Sequence, residues 1–194
     1  MKKNLPLLIA CLILKIAYEQ LSLKKGKIND SLKINDSIPG TFSLYLPKQF
    51  DTREKWPLLL VIDLDGKEKQ TTSLFLQGVE KEGYVMAAVH IEDSTSLTKN
   101  MIKTGKVLER VSPIIPVYEN RVYAAGRGSG ARNASLTPLF LKVITGVTSV
   151  GAPIYNTDAL RLKRPYPFIG IVGKTDYPFT ELLAAHKVLH RLPF

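Results

Sequence analysis

The residues from Arg121 to Arg132, R-V-Y-A-A-G-R-G-S-G-A-R, read as a short apolar strand, a glycine-rich turn and the start of a helix. Two chemistries use such a junction. A turn written G-x-S-x-G holds a reactive serine at its centre, and its sharp backbone requires glycine or something nearly as small two positions to either side. In that frame Gly126 and Gly130 are the flanks and Gly128 is the centre. The turn is kept, and the attacking hydroxyl is missing. Moving the frame by one to use Ser129 makes Arg127 and Ala131 the flanks, where the long arginine collides with the turn. In the original frame Ser129 opens the helix, with its hydroxyl turned from the reacting side and towards backbone N–H groups it could cap.

The same run also fits G-x-G-x-x-G/A through Gly126, Gly128 and Ala131, a pattern that cradles phosphate at a helix N-terminus. Arg127 and Arg132 would suit an anion there. Against a dinucleotide, the turn follows a late strand, and the next strand ends Val150-Gly151-Ala152-Pro153 with no carboxylate for a ribose. Three histidines complete the set of titratable candidates. His186 and His190 stand four apart on the last helical segment, but without the glutamate of H-E-x-x-H or a third ligand they read as a partly buried helix face. His90 ends an apolar strand, at the edge where chemistry occurs, and reads as a structural or substrate-contacting group. No metal and no cofactor is expected.

The elements that must position these residues follow from the hydropathy pattern. Phe42 to Pro47 alternates like a half-exposed strand, while 57–64 and 84–91 are continuous apolar runs typical of buried parallel strands. Helices are expected over about 69–82 and, with Ser96 as N-cap, over 96–111, where Pro113 and Pro116 end the second. The strand at 121–126 leads into a helix over about 131–144 that contains Pro138. Strands at 145–150 and 166–172 and a helix from Phe179 to about Leu192 close the chain. Strands alternating with helices predict an α/β fold with a mostly parallel sheet covered on both faces.

With 194 residues and 45% hydrophobic content, the chain can bury one sizeable core. A net charge of +10 would attract anions, but no basic run is interleaved with aromatics, so nucleic acid is not an expected partner. Met1-Lys-Lys-Asn followed by ten residues from Leu5 to Leu14 has the basic and short apolar regions of a bacterial export signal or an uncleaved anchor. Leu8-Ile-Ala-Cys11 resembles a lipidation site, and Cys11 is the single cysteine. Residues 21–38 are polar and repeat K-I-N-D-S at 27 and 33; they read as a linker entering an edge hairpin.

In their order and spacing, Phe42 to Phe50, Trp56 to Gly66, the elbow from Arg121 to Arg132 and Phe168 to Asp176 resemble bacterial α/β-hydrolases of the esterase, polyhydroxyalkanoate-depolymerase and dienelactone-hydrolase type. Such enzymes cleave esters with a serine, an acid and a histidine in that chain order. The resemblance implies that Asp176 is the acid that would orient an imidazole. Its other reading is a turn residue before Tyr177-Pro178. The resemblance also places one oxyanion-hole amide in the loop containing Asp65 and Gly66, and the second at the backbone N–H of Ser129. By the family's strand order, His90 lies two strands from the elbow. The family's catalytic histidine follows a last strand, which is expected to be missing here, so the domain reads as C-terminally truncated and 168–172 as an open edge that invites self-association.

The resulting expectation is a signal peptide or anchor at 1–20, a linker at 21–38 and an α/β-hydrolase-like domain at 39–194, in the periplasm, secreted or held at the envelope. Its function is that of the serine-hydrolase, carboxylic-ester lineage, with impaired or absent catalysis and a small-molecule ester or other acyl compound as ligand. The alternative is a noncatalytic ligand- or anion-binding module built on the turn from Gly126 to Gly130.

Overall fold

Apolar runs too continuous to face water on either side must lie inside a sheet, and the helix-period segments between them supply its cover. The computed structural model describes residues 23–35, 37–63, 68–92, 94–162 and 165–191. Among these, the strands are β1 (Ile28–Lys33), β2 (Thr41–Tyr45), β3 (Trp56–Asp63), β4 (Val85–His90), β5 (Val117–Arg127), β6 (Gly146–Val150) and β7 (Phe168–Ile171). The helices are α1 (Glu68–Glu82), α2 (Leu97–Val111), α3 (Ser129–Phe140), the short α4 (Asn156–Ala159) and α5 (Phe179–Leu189).

One sheet forms in the order β1-β2-β4-β3-β5-β6-β7. β2 pairs antiparallel with β1 and β4, and the pairs from β4 through β3, β5 and β6 to β7 are parallel. β1 falls within the segment read from composition as a linker into an edge hairpin, and it pairs with β2 through an irregularity between Asn29 and Leu32. Alternate residues of the central strands divide the core. Leu58, Leu60, Ile62, Ala87, Val89, Val122 and Ala124 build the larger cluster with Val107, Leu108 and Val111 of α2 and Ala134 of α3. On the opposite face Val61, Met86 and Ala88 pack with Tyr45 and with Val79, Phe75 and Leu76 of α1.

Local chemistry explains where helices start and stop. Ser96 caps α2 by accepting a hydrogen bond from the Lys99 N–H at 3.4 Å, and the buried side of α2 recurs through Asn100, Met101, Thr104, Val107, Leu108 and Val111. In α3, Pro138 has no N–H to give the carbonyl of Ala134. The Thr137 hydroxyl donates to that carbonyl instead, at 2.7 Å, which lets the helix carry its proline. Two boundaries differ most from the sequence expectation. β5 starts at Val117 because that residue pairs with Trp56 before a register shift, although the exposed run that follows shows no apolar alternation. α3 ends at Phe140, since Leu141 turns to an extended conformation at φ −117°. β7 is the outermost described strand opposite β1, with Ile169 58% and Ile171 54% exposed.

Candidate active site at the C-terminal edge of the sheet

β5 is central, and its register brings Gly126 level with Ile62 of β3 and Ser149 of β6. The chain then turns sharply into α3. The Gly128 N–H donates to the carbonyl of Val150 at 2.8 Å, and the Gly128 carbonyl accepts from the Ala131 N–H at 3.0 Å. Gly128 itself adopts φ 56° and ψ −129°, a conformation that side chains rarely take.

A methyl group placed in turn on each glycine defines what the junction tolerates. On Gly126 it would stand 2.6 Å from the nitrogen of Ala131, and on Gly130 it would press closer than 3.0 Å on the carbonyl oxygen of Ile62. On Gly128 it would meet no atom of the described residues within 4 Å. The two flanks are therefore closed to any side chain, while the centre meets no described neighbour, at the cost of a strained backbone. That is the geometry that presents a reactive group, formed here around a residue that has none.

Ser129 is the first residue of α3 and is exposed. Among the described residues its hydroxyl makes no hydrogen bond, so it does not cap the helix; its carbonyl accepts from Asn133 Nδ2 at 3.2 Å. Arg127 is exposed between the glycines. One turn into α3, Arg132 is committed elsewhere: Nη2 pairs with Glu181 of α5 at 3.0 Å, and the guanidinium lies 3.5 Å over the ring of Tyr155. These contacts tie the start of α3 to the start of α5 and to the segment before α4, beside the elbow. Asp65 and Gly66 lie outside the described residues.

Asp176 is exposed in the turn between β7 and α5. Its carboxylate accepts from the Gly173 N–H at 3.0 Å, and its own N–H donates to the Gly173 carbonyl at 3.0 Å, which is turn chemistry. It pairs with no histidine among the described residues. His186 and His190 stack on each other with ring centroids 4.6 Å apart, and both are exposed, not partly buried as expected from the sequence. Among the described residues no three metal-ligating side chains come together.

A cluster that the sequence did not reveal lies one strand from the elbow on the other side. Asp63 and His90 end β3 and β4 level with each other, and the strand order confirms that β4 is two strands from β5. The Asp63 carboxylate is 4% exposed. One of its oxygens accepts from the Thr71 hydroxyl of α1 at 2.7 Å, and the other faces His90 Nδ1 at 3.7 Å. The imidazole is 26% exposed. The sequence carried only a partial signal for it: one titratable residue, Asp63 or His90, stands next to last in each of two apolar runs, and their pairing depends on strand register.

No family model and no curated protein matches the sequence. Solved structures do. A feruloyl esterase module from Clostridium thermocellum, complexed with sinapinate, superposes with a TM-score of 0.70 at 12% identity over 87% of this chain and 74% of its own. Esterase 2 from Thermogutta terrifontis gives 0.65 at 12% identity over 88% and 81%, and a thermostable esterase gives 0.61 at 15% over 77% and 47%. The fold is that of the α/β-hydrolases. The strand order thus matches the α/β-hydrolase fold that the sequence motifs implied, and identities this low speak for the fold alone. Among the described residues, no helix of this α/β-hydrolase fold is long and apolar enough to cross a membrane.

Proposed function

We propose that the protein binds a small carboxylic ester or related acyl compound at the C-terminal edge of its sheet and lacks covalent serine catalysis. One observation carries the reading: the elbow backbone turns at φ 56° with room at its centre among the described residues, yet that centre is Gly128. A serine hydrolase stores its strain at this position to hold an oxygen against the scissile carbonyl. Ser129 does not replace it, because it belongs to the helix and faces solvent.

The superposed esterases support an acyl ligand, since the edge that binds ligands in open α/β sheets is the edge where the elbow lies. The basic and apolar pattern of the N-terminus supports a place outside the cytoplasm, as an exported or envelope-held protein.

The test is a thermal-shift titration with short nitrophenyl esters and their acids, set beside inorganic phosphate and NAD. Stabilisation by the acyl compounds supports the reading. Stabilisation by phosphate or NAD alone contradicts it in favour of an anion-binding turn.

A further inference from the structure

We propose that the groove between α1 and the β5-β6-β7 side of the sheet is a second binding site, which takes a carboxylic acid with an apolar body and holds its carboxylate on Arg121. The site is separate from the acyl-binding edge described above. Arg121 and Gly128 are separated by most of β5, about 23 Å at ~3.3 Å per residue.

The walls of the groove follow from strand register. Tyr123 of β5 pairs with Leu59 of β3 and Gly146 of β6, and Thr148 of β6 pairs with Ile169 of β7. Partnered residues of neighbouring strands share a face, so all of these point to the face on which α1 packs. Towards β7, α1 presents the stripe Phe75, Gly78, Val79 and Glu82, spaced i, i+3, i+4 and i+7. Between that stripe and β7 lies a cavity of about 430 Å³, within the range of small-molecule sites. Leu59, Val147, Pro167 and Ile169 complete its apolar walls with Phe75 and Val79. Glycine at 78 keeps the helix side open: a methyl there would meet no atom of the described residues within 4 Å.

The polar groups gather at one end. Tyr84 and Tyr123 line the cavity with their ring centroids 5.9 Å apart. Arg121 stands two residues before Tyr123 on β5 and therefore on the same face, its guanidinium 6.0 Å from the ring centroid of Tyr84 and 5.5 Å from that of Tyr118. Hydrogen bonding to Tyr84, and then to Tyr123, holds the guanidinium above the ordinary arginine range. Arg121 is exposed, so it can take up a carboxylate from solvent in the two-pronged way that guanidinium groups favour, with the phenol hydroxyls as further donors. Glu82 also lines the cavity, but its side chain is 61% exposed and Lys81 Nζ stands 3.7 Å from its carboxylate, which offsets its charge. An ammonium ligand would meet the guanidinium head-on, and an uncharged one would leave it unused. Apolar walls with a cation at one end match an amphiphile with a single anionic head.

The experiment titrates the full chain with decanoate and, in parallel, with decanol, reading the heat of binding and the unfolding midpoint. Decanoate is expected to bind saturably and about tenfold or more tighter than decanol, which cannot make the charge-assisted bonds to Arg121. Arg121→Gln is expected to reduce decanoate to the affinity of decanol. Gly78→Phe is expected to abolish binding of both with its midpoint retained, since phenylalanine suits a helix interior better than glycine. Gly78→Ala, which adds only a methyl, is expected to bind as wild type. Equal affinities for the acid and the alcohol, or undiminished decanoate binding by Arg121→Gln, overturn the assignment. Saturable binding that survives Gly78→Phe puts the acid at another place, such as the elbow edge, and sinks this site while the acyl-binding reading stands. Failure of decanoate to bind also overturns the inference; if wild type is then dimeric and Gly78→Phe monomeric by light scattering, the occupant of the groove is a second copy of this chain.

Discussion

The carbonyl oxygen of Ile62 stands where a side chain on Gly130 would have to go, so the end of β3 and the first turn of α3 meet with no space between them. Adding one methyl there, or on Gly126, forces backbone apart from backbone, which has little freedom to give. Gly130→Ala and Gly126→Ala are each expected to destabilise the protein by about 1–3 kcal/mol or more. In a domain of this size each kcal/mol lowers the unfolding midpoint by about 2–4 °C. Gly128→Ala meets no atom of the described residues and is expected to cost its backbone strain, roughly 1–2 kcal/mol. Thermal unfolding of the three variants checks the order, and a Gly130→Ala protein as stable as wild type would refute the packing.

Tyr45 offers a prediction in alkaline solution. Burial, and then its hydrogen bond to the Glu80 carboxylate together with that group's negative charge, raise its phenol well above the ordinary tyrosine range. A phenol held protonated in the fold and ionising near pH 10 in the unfolded chain contributes stability that is complete below ~pH 10 and is lost as pH rises beyond it. Tyr45→Phe is expected to cost about 1 kcal/mol at neutral pH through the lost hydrogen bond. The gap between variant and wild-type midpoints should narrow between about pH 9 and pH 11. A gap that widens over that range speaks against the assignment.

Asn100 closes the loop that leaves β4. Its side chain donates to the carbonyls of Glu92 at 2.8 Å and Thr95 at 3.4 Å, and it accepts from the Glu92 N–H at 3.3 Å while itself buried. Asn100→Ala strands these backbone groups and is expected to cost about 1–3 kcal/mol. Because the loop begins directly after His90, the variant should also speed amide hydrogen exchange at Glu92. Unchanged exchange there would mean that the loop is held by other contacts.

What the sequence disclosed and what it withheld divide along one physical line. Runs such as 57–64 and 84–91 announced β3 and β4 because burial on both faces leaves a continuous apolar signal, and Ser96 announced its own helix start. The elbow was legible down to the empty centre at Gly128, since steric need at 126 and 130 is written in residue type. The Asp63, Thr71 and His90 cluster was not legible, because it depends on the register between two strands and on where the first turn of α1 falls. The same holds for Arg132: only the packing of α5 and of the segment before α4 shows that its guanidinium meets Glu181 and Tyr155. Asp176 kept two readings in sequence, and its hydrogen bonds to Gly173 show the turn chemistry at work.

β7 carries two isoleucines, Ile169 and Ile171, more than half exposed on the outermost described strand. An apolar edge with unpaired backbone groups favours pairing with another strand. Ile169→Lys combined with Ile171→Lys is expected to raise the monomer fraction of this chain, read by light scattering across a concentration series. A wild type that is already monomeric at every concentration would contradict the expectation.

The central proposal is that no described side chain attacks an ester from the elbow, where Gly128 stands at the centre. Treatment with a fluorophosphonate, followed by mass measurement of the intact protein and mapping of any modified peptide, tests it most directly. The account predicts unmodified protein under conditions that label an active serine esterase to completion. A stoichiometric adduct on Ser129 would contradict it.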